Sequence, residues 1–160
     1  MKSYILLFLM IFSFTSCSND NTIEEDIEPE IDYDLQNEID IQQYILENNL
    51  TVKKTDSGLY YSIEEPGTGI MPLPDSFVTV TFTSTSLNGT VISEVNHPGA
   101  SYNLKEVITG FREGLTLLKE GAKATLIIPS KLAYQDIKFG PFLSLSNKVI
   151  IFKVHLLKVN

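Results

Sequence analysis

The stretch "VITGFREGLTLLKEGAKATLIIP", Val107–Pro129, contains one short helical pattern followed by a strand pattern. Three apolar residues recur at helical spacing and form a single stripe: Phe111, Leu115 and Leu118. Thr109 is placed to cap the start of this helix, and Gly121 is placed to end it. The sequence therefore predicts a helix of about three turns with an aromatic residue near its start.

Strand patterns lie on both sides of this helix. The segment "FVTVTFTSTSLNGTVISE" (77–94) alternates apolar and polar residues around Asn88-Gly89, a pair typical of tight hairpin turns. Its apolar row, Val78, Val80 and Phe82, is expected to be buried, whereas the threonines between them face water. Further strands are predicted in "GLYYSIEE" (58–65), "KATLIIP" (123–129) and "NKVIIFKVHLLKV" (147–159).

A sheet with one apolar face needs a cover, and the helix after Val107 is the only candidate within this part of the chain. In the last strand, one row of apolar side chains provides the face to be covered: Ile150, Phe152, Val154 and Leu156. The expected fold class is α+β, with about five antiparallel strands wrapped around one short α-helix.

The net charge of -8 is unevenly distributed. Between Cys17 and Thr51 there are eleven acidic residues and no Lys or Arg, whereas Val52–Asn160 contains nine acidic and eleven basic residues. The acidity therefore belongs to one segment, and the globular part is nearly neutral. Without a basic stripe, nucleic acid is not an expected partner.

Residues 1–16 have the features of a secretion signal. Lys2 precedes an apolar run from Tyr4 to Phe14, which is too short to span a bilayer. The "FTSC" that follows resembles a bacterial lipobox, which implies a lipid on Cys17 and attachment to a membrane of the cell envelope, with the outer membrane favoured. The alternative is a leftover cysteine in an ordinary signal peptide.

Residues 17–39 are expected to form an extended acidic tether, which could act as a solvated spacer or as a surface-export signal. Residues 40–56 are expected to hold a short helix and a linker. Asp40 is placed to cap that helix, apolar residues follow at helical spacing, and the helix is expected to end near Asn48 or Asn49. It would lie against the domain at 57–160 or act as a stalk.

Metal and cofactor sites are not predicted. His155 lies in the polar row of the last strand, and His97 is expected in a loop. Two isolated histidines and a single cysteine placed elsewhere do not make a ligand set.

Residues 57–159 resemble the FKBP-type peptidyl-prolyl isomerases. The motifs that carry this resemblance are "SGLYYSIEEPGTG" (57–69), "VTVTFTSTSLNGTVIS" (78–93), "VITGFREGL" (107–115), "IIPSKLAY" (127–134) and "NKVIIFKVHLL" (147–157). The resemblance implies a curved sheet around a helix, with the prolyl ring of a substrate held in an apolar cup between them.

The cup residues follow from this resemblance, position by position. The predicted catalytic residues are Phe82, Ile92, Val107, Ile108, Phe111, Tyr134 and Phe152. The predicted substrate contacts at the edge are Tyr102, Ser93 and Leu143. Phe111 stands where the family has Trp and would form the floor of the cup, and Tyr134 could donate a hydrogen bond to a substrate carbonyl.

Several positions depart from the family pattern. Phe82 replaces a tyrosine, Ile92-Ser93 replaces a Phe-Asp pair, and Gln135 replaces a glycine at the start of an altered loop. The expected function is a peptidyl-prolyl isomerase that assists the folding of exported, proline-containing polypeptides. The alternative is a membrane-anchored binding or chaperone module with weak or no catalysis.

Overall fold

The computed structural model describes residues 31–160. The predicted signal (1–16), the lipidation site Cys17 and most of the predicted tether lie outside the described residues.

Residues 31–160 form six strands and two α-helices. The helices are α1 (Tyr33–Glu47) and α2 (Thr109–Thr116). The strands are β1 (Lys53–Lys54), β2 (Tyr60–Glu65), β3 (Phe77–Ser86), β4 (Val91–Asn103), β5 (Lys123–Ile128) and β6 (Ile150–Val159). Short 3₁₀ turns lie at Leu104–Glu106, Ser130–Leu132 and Leu143–Leu145.

The strands form one antiparallel sheet in the order β1-β2-β5-β6-β3-β4. The chain leaves edge strand β4 and returns to the middle of the sheet at β5, and α2 lies on this connection. The α+β class and the helix packed on one face of the sheet are as the sequence predicts. The hairpin between β3 and β4 turns at Asn88-Gly89, where Gly89 has a φ of 84°.

One face of the sheet packs on α2 and forms the main hydrophobic core. The predicted apolar stripe is buried there, with Leu115 of α2 and Leu118 just after the helix both at 0% exposure. The predicted row of β6 joins the same cluster: Ile150, Phe152, Val154 and Leu156. The expectation of a buried apolar face under a helical cover is therefore met.

The opposite face of the sheet is covered by α1. Ile41 of α1 is fully buried in a second cluster with Tyr60, Ile127, Val149 and Ile151. Neighbouring strand residues point to opposite faces, so Leu126 and Ile127 enter different clusters. The continuous apolar runs in β5 and β6 result from this burial on both faces.

The first helix is longer than predicted. It begins at Tyr33 and not near Asp40, so it includes residues assigned to the acidic tether. Asp32 caps the start, because its Oδ1 accepts hydrogen bonds from the backbone N–H groups of Asp34 and Leu35. The predicted end near Asn48 is correct, since Asn48 is the C-cap. Of the two expected placements, packing against the domain is the one observed.

The second helix is shorter than predicted. Thr109 is its first residue and provides no side-chain cap, and the helix ends at Thr116. The N–H groups of Leu117 and Leu118 bond the carbonyls three residues earlier, so the chain tightens at this end. Gly121, with a φ of 90°, belongs to the turn that follows.

His97 was expected in a loop but lies within β4, where it is exposed. The pairing of β4 with β3 is interrupted there, since Val80 faces Ala100 and Phe82 faces Val95. This bulge lets β4 continue to Asn103, well beyond the predicted hairpin. Neither α1 nor α2 is long and apolar enough to cross a membrane, and the search covered only residues 31–160.

Candidate active site

Three phenylalanine rings from different elements meet beneath the first turns of α2. Phe111 of α2 lies 4.6 Å from Phe152 of β6, measured between ring centroids. Phe82 of β3 packs edge-on against both, at 5.6 Å from Phe111 and 5.3 Å from Phe152. This aromatic cluster (Phe82, Phe111 and Phe152) places the predicted floor residue in contact with two other predicted cup residues.

Two helical glycines set the distance between α2 and the sheet. A Cβ atom at Gly110 would lie 2.4 Å from Cγ2 of Ile128, and one at Gly114 would lie 2.4 Å from Cδ1 of Leu126. Only glycine therefore lets the helix approach β5 this closely. The close approach carries Phe111 down to the rings of β3 and β6.

The remaining predicted cup residues surround the aromatic cluster and are half-buried. They pack against the main core without being closed off from solvent: Ile92, Tyr102, Val107, Ile108 and Tyr134. Tyr102 lies 6.1 Å from Phe82 between ring centroids. Phe111 and Phe152 are the buried members, at 3% and 9% exposure. The structure thus brings seven predicted catalytic residues and Tyr102 into one apolar environment.

Tyr134, like Tyr102, brings a hydroxyl group into this environment. It follows the 3₁₀ turn Ser130–Leu132, and its ring stacks on that of Phe142 with centroids 4.9 Å apart and planes at 20°. Burial raises the pKa of the Tyr134 hydroxyl above its ordinary value. The group therefore remains a protonated hydrogen-bond donor at neutral pH.

Two predicted substrate contacts lie away from the aromatic cluster. Ser93 is exposed on β4, and Leu143 is 51% exposed at the start of a 3₁₀ turn. Neither belongs to the hydrophobic core around Phe111. Ser93 and Leu143 would contact a ligand only if the ligand extended beyond the aromatic cluster.

A groove of about 870 Å³ adjoins the predicted cup. It shares Ile92, Ser93 and Tyr134 with the predicted site residues and continues between the β3–β4 hairpin and the loop before β6. Asp40 of α1 lines its far side. The aromatic cluster itself does not line this groove, which offers space for chain that extends past Ile92 and Tyr134.

Sequence reasoning missed two residues of the loop that precedes β6. Phe142 stacks on Tyr134, and Leu145 is half-buried against the main core. The only signal available was the apolar content of "GPFLSLSN" (140–147), and this does not indicate which side chain turns inward. Leu143, chosen from that stretch, points outward because the 3₁₀ turn places Leu145 on the inner side.

No cluster of three or more His, Cys, Asp or Glu side chains suited to a metal ion occurs within residues 31–160. The arrangement offers an apolar floor and a half-buried rim that carries the hydroxyl groups of Tyr102 and Tyr134. Such a site can bind an apolar ring and orient one adjacent carbonyl, but it contains no evident nucleophile.

Comparison with known proteins assigns the family. Residues 69–157 match the family described as FKBP-type peptidyl-prolyl cis-trans isomerase. A probable FKBP-type peptidyl-prolyl cis-trans isomerase FkpA of Neisseria meningitidis is 41% identical over 114 residues, which are 68% of this chain and 40% of the relative. The outer membrane protein MIP of Legionella longbeachae is 36% identical over 64% of this chain and 45% of its own length.

Solved structures agree with this assignment. The crystal structure of FkpA from Escherichia coli matches with a TM-score of 0.66 and 30% identity, over 79% of this chain and 60% of that one. A peptidyl-prolyl cis-trans isomerase of Pseudomonas syringae has the same fold, with a TM-score of 0.67 and 21% identity over 83% of this chain and 99% of that one. The chain spans less than half the length of the curated relatives described above. Because the family match covers more than half of this chain, the chain is a member of the FKBP-type peptidyl-prolyl cis-trans isomerase family.

Proposed function

We propose that the protein is a peptidyl-prolyl cis-trans isomerase that acts on proline-containing segments of exported polypeptides. The observation that carries the proposal is the contact of Phe82, Phe111 and Phe152 under a half-buried rim. These rings offer an apolar surface for a prolyl ring, and the adjoining groove of about 870 Å³ offers space for the flanking chain.

The reaction requires a bond rotation and no proton transfer. An X-Pro bond isomerises unaided in tens to hundreds of seconds, against a barrier of about 18–20 kcal/mol. Reaching the millisecond range requires an acceleration of about 10⁴-fold, or roughly 5.5 kcal/mol. The planar amide owes much of its dipole to resonance, and the twisted amide has less of it. An apolar site therefore favours the twisted form over the planar one.

Tyr134 has a distinct role in this proposal. Its hydroxyl would donate a hydrogen bond to a carbonyl of the substrate and fix the direction in which the bond turns. Burial keeps the pKa of Tyr134 above its ordinary value, so the proton needed for this bond is present at neutral pH. Phe111 would form the floor beneath the prolyl ring.

We also propose that the protein works in the cell envelope, held by a lipid on Cys17. The lipobox-like "FTSC" supports this placement, as does the similarity to a relative named outer membrane protein MIP. The acidic segment before α1 would separate the domain from the membrane surface.

A second candidate function is a binding or chaperone module on the same fold with little catalysis. Two observations favour it. Phe82 and the exposed Ser93 leave the site without two polar groups of the family pattern. Large apolar side chains are exposed here: Val91 and Phe142 line the groove, and Phe139 and Leu143 lie on the same loop as Phe142.

Proline-peptide isomerisation by the full-length chain tests the proposal. Tyr134→Phe and Phe111→Leu should lower kcat/KM by about tenfold or more, since each removes one stabilising contact with the transition state. Phe77→Leu is the matched control, because Phe77 is 54% exposed on β3 and lies outside the site. Equal, near-background rates in all four proteins would refute the isomerase and favour the binding module. Suppressed aggregation of an unfolded client without prolines would support that second function directly.

A further inference from the structure

Asn37 is a buried polar residue on α1, outside the region matched by the family. Its side chain is only 2% exposed, and one turn later Ile41 packs on the sheet. An amide side chain in such a place is unfavourable unless both its oxygen and its nitrogen are hydrogen-bonded. The partners of Asn37 therefore indicate its structural role.

The amide of Asn37 bridges two backbone positions that are far apart in the sequence. Its Oδ1 accepts a hydrogen bond of 2.7 Å from the backbone N–H of Ser130, in a fully buried position. Its Nδ2 donates a bond of 3.1 Å to the backbone carbonyl of Asn147. One side chain thus fixes both positions relative to α1.

Those two positions are the ends of a segment, 130–147, that carries Tyr134. Inside it, the N–H of Gln135 donates to the carbonyl of Ser130 at 2.8 Å, and the N–H of Asn147 donates to the carbonyl of Gln135 at 2.7 Å. The residue that follows Tyr134 is therefore bonded to both ends of the segment, and both ends are bonded to Asn37.

The backbone of this segment depends on such support. Gln135 and Asn147 have φ values of 49° and 56°, in the left-handed region that residues other than glycine rarely adopt. Conformations of this kind persist only where the surrounding bonds hold them. The bonds of Asn37 contribute to that support at Asn147 and, through it, at Gln135.

We propose that Asn37 is a positioning residue for the active site, and that it fixes Tyr134 by clamping both ends of segment 130–147. The inference rests on the proposed isomerase function. It makes α1 part of the catalytic unit, although the helix packs on the sheet face opposite α2. Asn37 has no direct role with substrate and acts only through the hydroxyl of Tyr134.

The chemistry of the clamp requires asparagine. Asn37→Asp would keep an acceptor for the Ser130 N–H but would place a carboxylate oxygen against the carbonyl of Asn147. Asn37→Leu would preserve the approximate size and leave both backbone groups unpaired. The two substitutions should therefore give graded effects, with asparagine alone satisfying both partners.

The matched control is Tyr60→Phe. The Tyr60 hydroxyl makes a different polar contact with α1, since it donates to Glu38 and accepts from Gln42. It joins the helix to β2 and lies outside segment 130–147. Tyr60→Phe therefore loosens the same helix without touching the proposed clamp.

Amide hydrogen exchange, the ring NMR signals of Tyr134 and isomerisation kinetics test the proposal in the full-length chain. Asn37→Leu should speed exchange across 130–147, shift the Tyr134 ring signals and lower kcat/KM by about tenfold, within the range expected for a displaced catalytic group. Tyr134→Phe should then cost much less in the Asn37→Leu background than in the wild type. Tyr60→Phe should change none of these three readouts.

Two results would overturn the inference. One is exchange and Tyr134 signals in Asn37→Leu that equal those in Tyr60→Phe. The other is a double variant, Asn37→Leu with Tyr134→Phe, whose loss in kcat/KM equals the product of the two single losses. A wild-type chain without isomerase activity would refute the proposed function instead, and the exchange and ring signals would still decide whether Asn37 positions Tyr134.

Discussion

Phe82 of β3 meets Phe111 of α2 edge to face, with 5.6 Å between the ring centroids, so a sheet residue contacts the predicted floor of the cup directly. The contact closes the base of the site without a polar atom. In the family pattern a tyrosine stands at position 82, so a hydroxyl has been exchanged here for a fully apolar edge.

Restoring the missing polar groups should raise activity. Phe82→Tyr adds a hydroxyl to the half-buried ring, and Ser93→Asp adds a carboxylate at the exposed rim. One hydrogen bond contributes a net 0.5–1.5 kcal/mol, so kcat/KM should rise by roughly 3- to 10-fold for each group that contacts substrate. Binding of a proline-containing peptide should tighten in parallel, which calorimetry would measure.

Asn96→Asp controls for charge in this experiment, because Asn96 is exposed on β4 outside the predicted cup. It should leave kcat/KM and peptide binding unchanged. Lower activity in Phe82→Tyr/Ser93→Asp than in the wild type would show that the site has been remodelled around its apolar edge.

Burial of Ile41 should make α1 a stabilising part of the domain. Ile41 is 0% exposed, whereas Leu46 on the same helix is 75% exposed. Ile41→Ala should lower the free energy of unfolding by about 2–5 kcal/mol, as for other large-to-small core changes. Leu46→Ala should change it by less than about 0.5 kcal/mol. Urea unfolding of both variants measures the difference, and equal stabilities would show that α1 is not docked in solution.

The length of α1 could be predicted from the sequence only in part. The apolar spacing after Asp40 predicts a helix, and the predicted end of that helix near Asn48 is correct. The two preceding turns lack an apolar period, because they are acidic and because the residue that faces inward there is the polar Asn37. An inward polar residue breaks the apolar stripe on which pattern recognition depends. Its partners, Ser130 and Asn147, lie more than 90 residues away and leave no local trace.

The aromatic cluster was predictable to a greater degree. Phe82 and Phe152 lie in alternating rows, which fix the face of the sheet, and Phe111 lies on the helical stripe. Alternation of apolar and polar residues does not predict the side-chain directions of a loop. Leu143 was therefore predicted at the site, whereas Phe142 and Leu145 are the loop residues that contact Tyr134 and the main core. The orientation of these side chains depends on the 3₁₀ turn Leu143–Leu145, which the sequence pattern does not predict.

The pH dependence of stability should include a contribution from Glu38. Burial alone would raise the pKa of Glu38, but hydrogen bonds from Tyr60, Lys54 and Gln42 outweigh it and hold the pKa below the ordinary value of 4.5. The unfolded chain therefore takes up this proton first as the pH falls. The stabilisation is complete above about pH 4.5 and is lost as the pH falls through the lower pKa of the folded state.

Urea unfolding between pH 7 and pH 3 tests this contribution. The difference in unfolding free energy between wild type and Glu38→Gln should be largest at pH 7 and should shrink below about pH 4.5. Glu106→Gln, at an exposed position, provides the charge-matched comparison. A difference for Glu38→Gln that stays constant across this range would contradict the expectation.

Gly114 sets the height of α2 above the sheet, and its replacement should disturb both stability and activity. Alanine usually favours a helix over glycine by about 1 kcal/mol. Here the new Cβ would lie 2.4 Å from Cδ1 of Leu126, so Gly114→Ala should instead lower the free energy of unfolding by about 1–3 kcal/mol. Displacement of the helix should also lift Phe111 away from Phe152 and reduce kcat/KM.

Leu126→Ala removes the obstructing methyl groups, so Gly114→Ala should cost little in that background. If the two substitutions are additive in urea unfolding, the approach of α2 to β5 does not depend on the absence of a side chain at position 114.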